Sequence, residues 1–304
     1  MKLIVGTRGS PLALTQTRWV IERLARAHPR ITFEVKEIRT QGDARPDAPL
    51  ASMPRGLFAK ELEQALERRS IALAVHSYKD LPTEIDPIFV IAAITEREDP
   101  RDVLIAPGHR SLDDLPKGAR LGTSSPRRAA QLRHYRPDLE VVPVRGNVGT
   151  RITKAGKDGL AGVVIAAAGV KRLGREGDIT CFIDPEICTP EAGQGALAVE
   201  ALAGERSAIA AARSVDHADT RAAVTAEITA VAALGGGCSV PIAAFAEVRR
   251  HRLELRGMVA DPSGRKVIRA SVARHASDPV SVGRLLAERL VAGGAHELLA
   301  GVAT

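Results

Sequence analysis

The stretches VGTRGSP (residues 5–11) and LGTSSPR (residues 121–127) share one pattern, and that pattern decides the fold. In each, an apolar run ends in Gly-Thr, and a Ser-Pro pair follows. Serine is a favoured helix N-cap and proline suits the first helical turn, so each stretch predicts a strand that leads directly into a helix. The echo suggests two similarly built α/β lobes, which usually hold a ligand between them at the carboxyl ends of their strands.

Around these stretches, apolar runs of strand length alternate with helical patterns over the first part of the chain. The predicted strands are KLIVG (2–6), ITFEVKEIR (31–39), IALAVHS (71–77), IFVIAAI (88–94), VLIA, ARLGT, EVVPV and GVVIAAA. This alternation predicts an α/β fold with largely parallel sheets. After about residue 217, helices flank three alternating strand patterns, which predicts a separate small α+β domain.

Length and composition limit the class of protein. A chain of 304 residues is too long for one ordinary core, so two or three domains are expected. No apolar run reaches the length of a membrane span, and the N-terminal one is too short for a signal peptide, so we expect a cytoplasmic protein with no membrane partner. Three cysteines without a CxxC pair argue against a disulfide framework and against a zinc site, so no metal is expected.

The chain is basic, with 34 arginines, nine lysines and a formal net charge of +7. Nucleic acid is one class of partner for such a charge. Aromatic residues make up only 3% of the chain, however, which leaves few platforms for stacking on single strands. We therefore expect no nucleic-acid partner and favour a small polyanion.

Arginines stand where helices begin, although the positive end of the helix dipole disfavours cations there. In GTSSPRRAAQL, two arginines occupy the first helical turn behind the capping Ser125. Any one such arginine could be a solvated surface residue. Their recurrence at four strand-to-helix turns instead favours a shared ligand with several carboxylates. The arginines at these turns are Arg8, Arg127, Arg128, Arg145, Arg151 and Arg172.

The stretch VHSYKDLP (75–82) supplies a candidate acid. An apolar strand ends at Ser77, and Lys79 and Asp80 follow. Alone, these two residues are typical of a surface ion pair. In a cleft lined by arginines, the Asp80 carboxylate could pair with a substrate ammonium and act as a general acid, which is typically worth about 10²–10⁴ in rate.

The stretch GGGCSVPI (235–242) places the thiol of Cys238 directly after a run of three glycines. The simpler interpretation is a loop that leads into a strand, in which Cys238 is a small buried residue without a chemical role. The other is a functional thiol, because glycines remove side-chain cover and let a bulky group approach.

Together these motifs resemble the porphobilinogen deaminases, also called hydroxymethylbilane synthases. The matching stretches are TRGSPLAL, GLFAKELE, VHSYKDLP, EREDPRD, GTSSPRR, RGNVGTR, AAAGVKRLG, AGQGAL and GGGCSVP. The resemblance implies a monomeric transferase of tetrapyrrole and haem biosynthesis that joins four porphobilinogen molecules head to tail and releases ammonia. It implies two lobes like those of periplasmic binding proteins, at 1–96 with 195–215 and at 97–194, and a cofactor-carrying domain at 216–304.

The resemblance also assigns site residues. Asp80 becomes the catalytic acid, and Cys238 carries a dipyrromethane cofactor through a thioether. The implied cofactor-binding residues are Asp43, Ser77, Lys79, Thr123, Ser125, Arg127, Arg128, Arg145 and Gly146. The implied substrate-binding residues are Arg8, Ser10, Phe58, Arg145, Arg151, Arg172 and Gln194.

Three alternatives compete with this assignment. A non-catalytic two-lobe protein that binds polycarboxylates would explain the arginines, but neither Asp80 nor the thiol. A nucleic-acid binder would explain the net charge, but not arginines at helix starts. A cysteine-nucleophile hydrolase would need a base, for which His76 and His217 are candidates, although nothing in the sequence places either beside Cys238.

Overall fold

A computed structural model of the chain describes residues 1–39, 59–236 and 240–300. Two five-stranded sheets form the two lobes. The first sheet has the order β2-β1-β3-β10-β4 and consists of β1 (Lys2–Arg8), β2 (Thr32–Ile38), β3 (Leu73–Ser77), β4 (Phe89–Ile94) and β10 (Leu197–Leu202). The second has the order β7-β6-β8-β5-β9 and consists of β5 (Asp102–Ile105), β6 (Arg120–Gly122), β7 (Glu140–Val142), β8 (Leu160–Ala166) and β9 (Cys181–Phe182).

The two lobes share one topology. In each, three neighbouring strands are parallel, and a fourth strand lies antiparallel between the third and the edge strand. That fourth strand is β10 in the first lobe and β5 in the second. Because β10 follows the whole second lobe in sequence, the chain crosses between the lobes twice. The predicted α/β fold is confirmed, with an antiparallel strand in each sheet that the sequence did not indicate.

Helices cover both sheets. In the first lobe they are α1 (Pro11–Ala27), α2 (Lys60–Glu67) and α6 (Arg206–Ala212), and in the second α3 (Pro126–Tyr135), α4 (Val148–Lys154) and α5 (Ala167–Arg172). Short 3₁₀ helices lie at Tyr78–Asp80, Glu176–Asp178 and Arg213–Val215. The expected strand-to-helix turns are confirmed, since β1 leads into α1 and β6 leads into α3. Helix α2 ends at Glu67, and Arg69 just beyond it adopts a left-handed φ of 53°.

The third domain is α+β, as the sequence predicted. Its antiparallel sheet consists of β11 (Ile242–Arg249), β12 (Arg252–Ala260) and β13 (Val267–His275), and its helices are α7 (Ala218–Ala233), α8 (Pro279–Ala292) and α9 (Ala295–Ala300). Leucines of β12 and α8 form its core. Part of the sheet also packs on the second lobe, where Ala130 of α3 contacts Ala243 and Met258.

A buried ion pair joins this third domain to the crossing points between the lobes. Arg97, which follows β4, donates from Nη1 and Nη2 to the two carboxylate oxygens of Glu227 in α7, at 2.6 and 3.1 Å. The same carboxylate accepts the backbone N–H groups of Gly193 and Ala246, each at 2.7 Å. The Arg97 Nε donates to the Gln194 carbonyl at 2.7 Å. This ion pair therefore holds together the two segments that cross between the lobes, at Arg97 and at 193–194, and the third domain.

Among the described residues, no helix has both the length and the apolar character that crossing a membrane requires. In the same part of the chain, no group of three or more His, Cys, Asp and Glu side chains is arranged to hold a metal ion.

We predict that Arg97→Met lowers the free energy of unfolding by about 3 kcal/mol, because it leaves the buried Glu227 carboxylate without its cation. Urea unfolding followed by circular dichroism measures the effect. Arg249→Met is the matched control, because Arg249 pairs with Glu247 at the surface with its side chain 75% exposed, and its loss should change stability by less than about 0.5 kcal/mol. Equal losses in the two variants would contradict the assigned role of Arg97.

Candidate active site

Asp80 lies just beyond the end of β3, in the 3₁₀ helix Tyr78–Asp80. The backbone of this turn is fixed on both sides: the Tyr78 N–H donates to the Ala196 carbonyl, and the Leu81 N–H donates to the Tyr78 carbonyl, both at 3.0 Å. The half-buried Asp80 side chain faces a pocket of about 60 Å³. Polar residues of that pocket are Arg8, Ser10, Gln16, His76, Ser77 and Asp80. The fold thus brings the predicted acid Asp80, the predicted cation Arg8 and the predicted hydroxyls of Ser10 and Ser77 together in one pocket.

Two predicted serines cap the helices that begin beside the cleft. Ser10 Oγ accepts the Ala13 N–H at 3.3 Å, and Ser125 Oγ accepts the Arg128 N–H at 3.4 Å. Thr123 Oγ1 in turn accepts the Ser125 N–H at 3.3 Å. Each of these bonds uses an oxygen lone pair and leaves the O–H as a donor, so these hydroxyls can still bind an anion at a helix N-terminus.

The tandem arginines of α3 are buried, at 4% exposure for Arg127 and 5% for Arg128. Their common counterion is Asp102, the first residue of β5, at 2.8 Å from Arg127 Nη1 and 2.9 Å from Arg128 Nη2. Arg127 Nη1 also donates to the Thr189 carbonyl at 2.6 Å. Its Nε and Nη2 are buried without an acceptor in the described part of the chain. Buried donors of this kind normally have a partner, and no described residue supplies one for these two nitrogens.

Gln194 connects the two lobes at this point. Its side-chain oxygen accepts from Lys79 Nζ of the first lobe at 3.3 Å and from Arg128 Nη2 of the second at 3.1 Å. Its Nε2 donates to Asp102 at 2.8 Å and to the Pro100 carbonyl at 2.6 Å. Both ends of the amide are therefore engaged within the protein.

Three cations in this region, Lys79, Arg151 and Arg172, have lowered pKa values. For Lys79, burial disfavours the ammonium and lowers its pKa, although Glu191, 3.8 Å away, opposes the shift. Burial also lowers the pKa of Arg172, to about 10, against the opposing effect of Glu98. For Arg151, burial and the nearby Arg128 both lower the pKa. A ligand carboxylate would reverse each of these shifts.

Of the remaining predicted cations, Arg145 precedes α4, Arg151 lies in the last turn of α4, and Arg172 ends α5. Arg145 is exposed. Arg151 Nε donates to the Gly146 carbonyl at 2.7 Å, and Arg172 Nη2 donates to the Gly195 carbonyl at 2.6 Å. Gly146 has φ of 111°, and a β-carbon there would lie 2.6 Å from the Thr150 side chain, so only glycine fits this turn.

Besides Glu227, two further buried acids were not singled out from the sequence. Asp102 stands in the quoted stretch EREDPRD, and its only signal is an acid at the head of the apolar run VLIA. Glu200 in β10 is also fully buried and lies 3.0 Å from His76 Nε2. His76 is thereby paired within the first lobe, while His217 caps α7 by accepting the Thr220 N–H at 3.2 Å. The predicted residues Asp43, Phe58 and Cys238 lie outside the described residues.

The chain is similar to known proteins over nearly its whole length. Residues 3–210 match the family described as "Porphobilinogen deaminase, dipyromethane cofactor binding domain", and residues 221–292 match "Porphobilinogen deaminase, C-terminal domain". The porphobilinogen deaminase of Desulforudis audaxviator is 49% identical over 99% of this chain and 98% of its own length. That of Syntrophus aciditrophicus is 48% identical over 97% of both. A methionine-bound nutrient-binding protein from Burkholderia cenocepacia aligns with 69% of this chain and 91% of its own at 15% identity and a TM-score of 0.42.

We predict that Arg151→Met stabilises the protein when no ligand is bound, by about 1 kcal/mol, because it removes a partly desolvated charge that Arg128 repels. The measurement is the thermal unfolding midpoint in a Cys238→Ser background, which cannot form the thioether that the resemblance implies. Lys154→Met is the control and should leave the midpoint nearly unchanged, because the Lys154 ammonium makes only an exposed hydrogen bond, to the Arg145 carbonyl. A lower midpoint for Arg151→Met than for the control would refute the prediction.

Proposed function

The chain belongs to the porphobilinogen deaminase family, and from that membership we propose that it condenses four porphobilinogen molecules, as a hydroxymethylbilane synthase does. The family's enzymes are transferases of haem biosynthesis. The observation that carries the proposal is the pocket in which Asp80 lies together with Arg8, Ser10 and Ser77. A protein that only binds anions would need the cations but would not need the Asp80 carboxyl group.

Dipyrromethane, the cofactor named for the family's first domain, suits the residues found here. It carries several carboxylates, and the buried Arg127 Nε and Nη2 lack acceptors in the described part of the chain. Its attachment to Cys238 and its contact with Asp43 stay predictions. We propose that it is held by Ser77, Lys79, Thr123, Ser125, Arg127, Arg128, Arg145 and Gly146. When bound, it supplies the pyrrole carbon to which substrate units are joined.

Substrate is proposed to bind through the pocket beside Asp80. Arg8, Arg151 and Arg172 would pair with the acetate and propionate of porphobilinogen, and the Ser10 O–H would donate to one of them. Each charge-assisted hydrogen bond contributes about 1.5–3 kcal/mol. Arg145 and Phe58 are proposed to contact substrate as well. Gln194, with its amide engaged by Lys79 and Asp102, would act by holding these neighbours in place.

Asp80 is the proposed acid. Its carboxyl group would hold the substrate's aminomethyl nitrogen, keep that nitrogen protonated while the C–N bond breaks, and offset the positive charge that develops on the substrate pyrrole. After the new C–C bond forms, the Asp80 carboxylate could accept the proton that the joined carbon loses. The fixed 3₁₀ turn keeps the carboxyl group in place through these steps.

The domain boundaries, the oligomeric state and the cellular location are also proposed. The lobes would span 1–96 with 195–215 and 97–194, and the third domain 216–304, which agrees with the placement of β10 in the first sheet and β5 in the second. The protein would act as a monomer in the cytoplasm. Cys181 and Cys188 are free thiols, which suits a reducing compartment.

We predict that Cys238→Ser gives a folded protein that lacks the cofactor. The intact mass of the wild type should exceed that of its sequence by two porphobilinogen units less two ammonias, and the variant should have its bare mass. Cys181→Ser is the control and should keep the added mass. If the wild type has the bare mass even after incubation with porphobilinogen, the proposed function fails.

We predict that Asp80→Ala lowers kcat by about 10²–10⁴, because it removes general acid catalysis, while the cofactor-bound state stays reachable. Ammonia release from porphobilinogen measures kcat, and intact mass measures the bound cofactor. Asp86→Ala is the control, since Asp86 is an exposed residue of a surface turn. Wild-type turnover in Asp80→Ala would remove Asp80 from the mechanism.

A further inference from the structure

Asp102 is fully buried and saturated with donors. Its Oδ1 accepts from Arg128 Nε at 2.9 Å and from Gln194 Nε2 at 2.8 Å. Its Oδ2 lies 2.8 Å from Arg127 Nη1 and accepts the Cys188 thiol at 3.3 Å. Burial alone would raise the pKa of this carboxyl, but the two guanidiniums outweigh burial and hold the pKa well below its usual range. Asp102 is therefore an anion at every working pH.

The two arginines need this anion to occupy their present places. Arg127 and Arg128 are neighbours in the first turn of α3, where they repel each other and oppose the helix dipole. One carboxylate for two guanidiniums leaves a net charge of +1 on these three side chains, which Glu191 partly offsets at Arg127. It engages Arg127 through Nη1 and leaves Nε and Nη2 of that side chain without acceptors in the described residues. The cluster is thus charged for an anionic ligand and held in one orientation.

We propose that Asp102 is a positioning residue, which orients Arg127 and Arg128 to receive the carboxylates of the dipyrromethane. The inference rests on the proposed function. Through Gln194, the same carboxylate is linked to Lys79 of the first lobe. Asp102 itself meets no ligand and acts only through these side chains.

A role in packing depends on the volume of the side chain, whereas orienting two guanidinium groups depends on its charge. Asp102→Asn keeps the shape of the side chain and removes the charge. Asp102→Glu keeps the charge and adds one methylene to a packed site, which overpacking penalises. If charge decides, the Glu variant resembles the wild type more closely than the Asn variant does; if volume decides, the order is reversed. Asp138→Asn, which removes a carboxylate paired with Arg136 at 2.7 Å on the same lobe, is the matched control.

The experiment incubates each purified full-length variant with porphobilinogen and measures the fraction that carries the cofactor by intact mass. We expect Asp102→Asn to load at least tenfold less than the wild type, and Asp102→Glu to stay within about threefold. In the loaded fraction of Asp102→Asn, KM for porphobilinogen should rise about tenfold, while kcat changes less than threefold because Asp80 is untouched. Thermal unfolding verifies that each variant is folded.

The outcomes separate the two proposals. If the wild type and Asp138→Asn gain no mass and release no ammonia, the proposed function fails. If those two proteins take up the cofactor, two results overturn the positioning role. One is that Asp102→Asn takes up as much cofactor as the wild type, and the other is that Asp102→Asn and Asp102→Glu lose cofactor uptake equally. If Asp102→Asn does not fold, the Glu variant decides: loading supports the role, and a folded variant that does not load overturns it. Failure of both variants to fold assigns Asp102 to folding and overturns the proposal as well.

Discussion

The ion pair between Arg97 and Glu227 is the interaction on which the arrangement of the three domains depends. Burying two charges is costly, and a buried pair is tolerated only when its geometry is good and its remaining donors and acceptors are satisfied. Both conditions hold here, because the carboxylate accepts two guanidinium nitrogens and two backbone N–H groups. Arg97 also holds the backbone of Gln194. The junction that joins the domains therefore also places the amide that connects the two halves of the site.

Around that amide, the protein buries several cations in surroundings that disfavour their charged forms. Asp102 balances one of the two arginines of α3, and Lys79, Arg151 and Arg172 all have lowered pKa values. A protein selected for stability alone would have replaced some of these cations. Functional sites commonly retain such unfavourable groups because the ligand, when it binds, removes the strain. The same buried cations thus lower stability when no ligand is bound and favour the binding of a polycarboxylate.

Much of this could be predicted from the sequence because its signals are local. The Ser-Pro helix starts, the apolar runs and the arginines after strands each depend on a few adjacent residues. The antiparallel placement of β5 could not be predicted, because a short buried strand has the same apolar pattern in either direction. The role of Asp102 depends on that placement. Its partners Arg128 and Gln194 are 26 and 92 residues away in sequence, and only the sheet order brings them together.

The shared topology of the lobes explains how opposite charges come to serve one ligand. The strand β3 and the strand β8 occupy the same place in their sheets, between a parallel neighbour and the antiparallel crossing strand. The first leads into the turn that holds Asp80, and the second leads into α5, which ends in Arg172. The segments that follow these strands thus carry Lys79 and Asp80 in the first lobe and Arg172 in the second. A substrate with an ammonium group and two carboxylates requires both signs of charge. In the proposed site, the first lobe supplies the acid, and the two lobes together supply the cations.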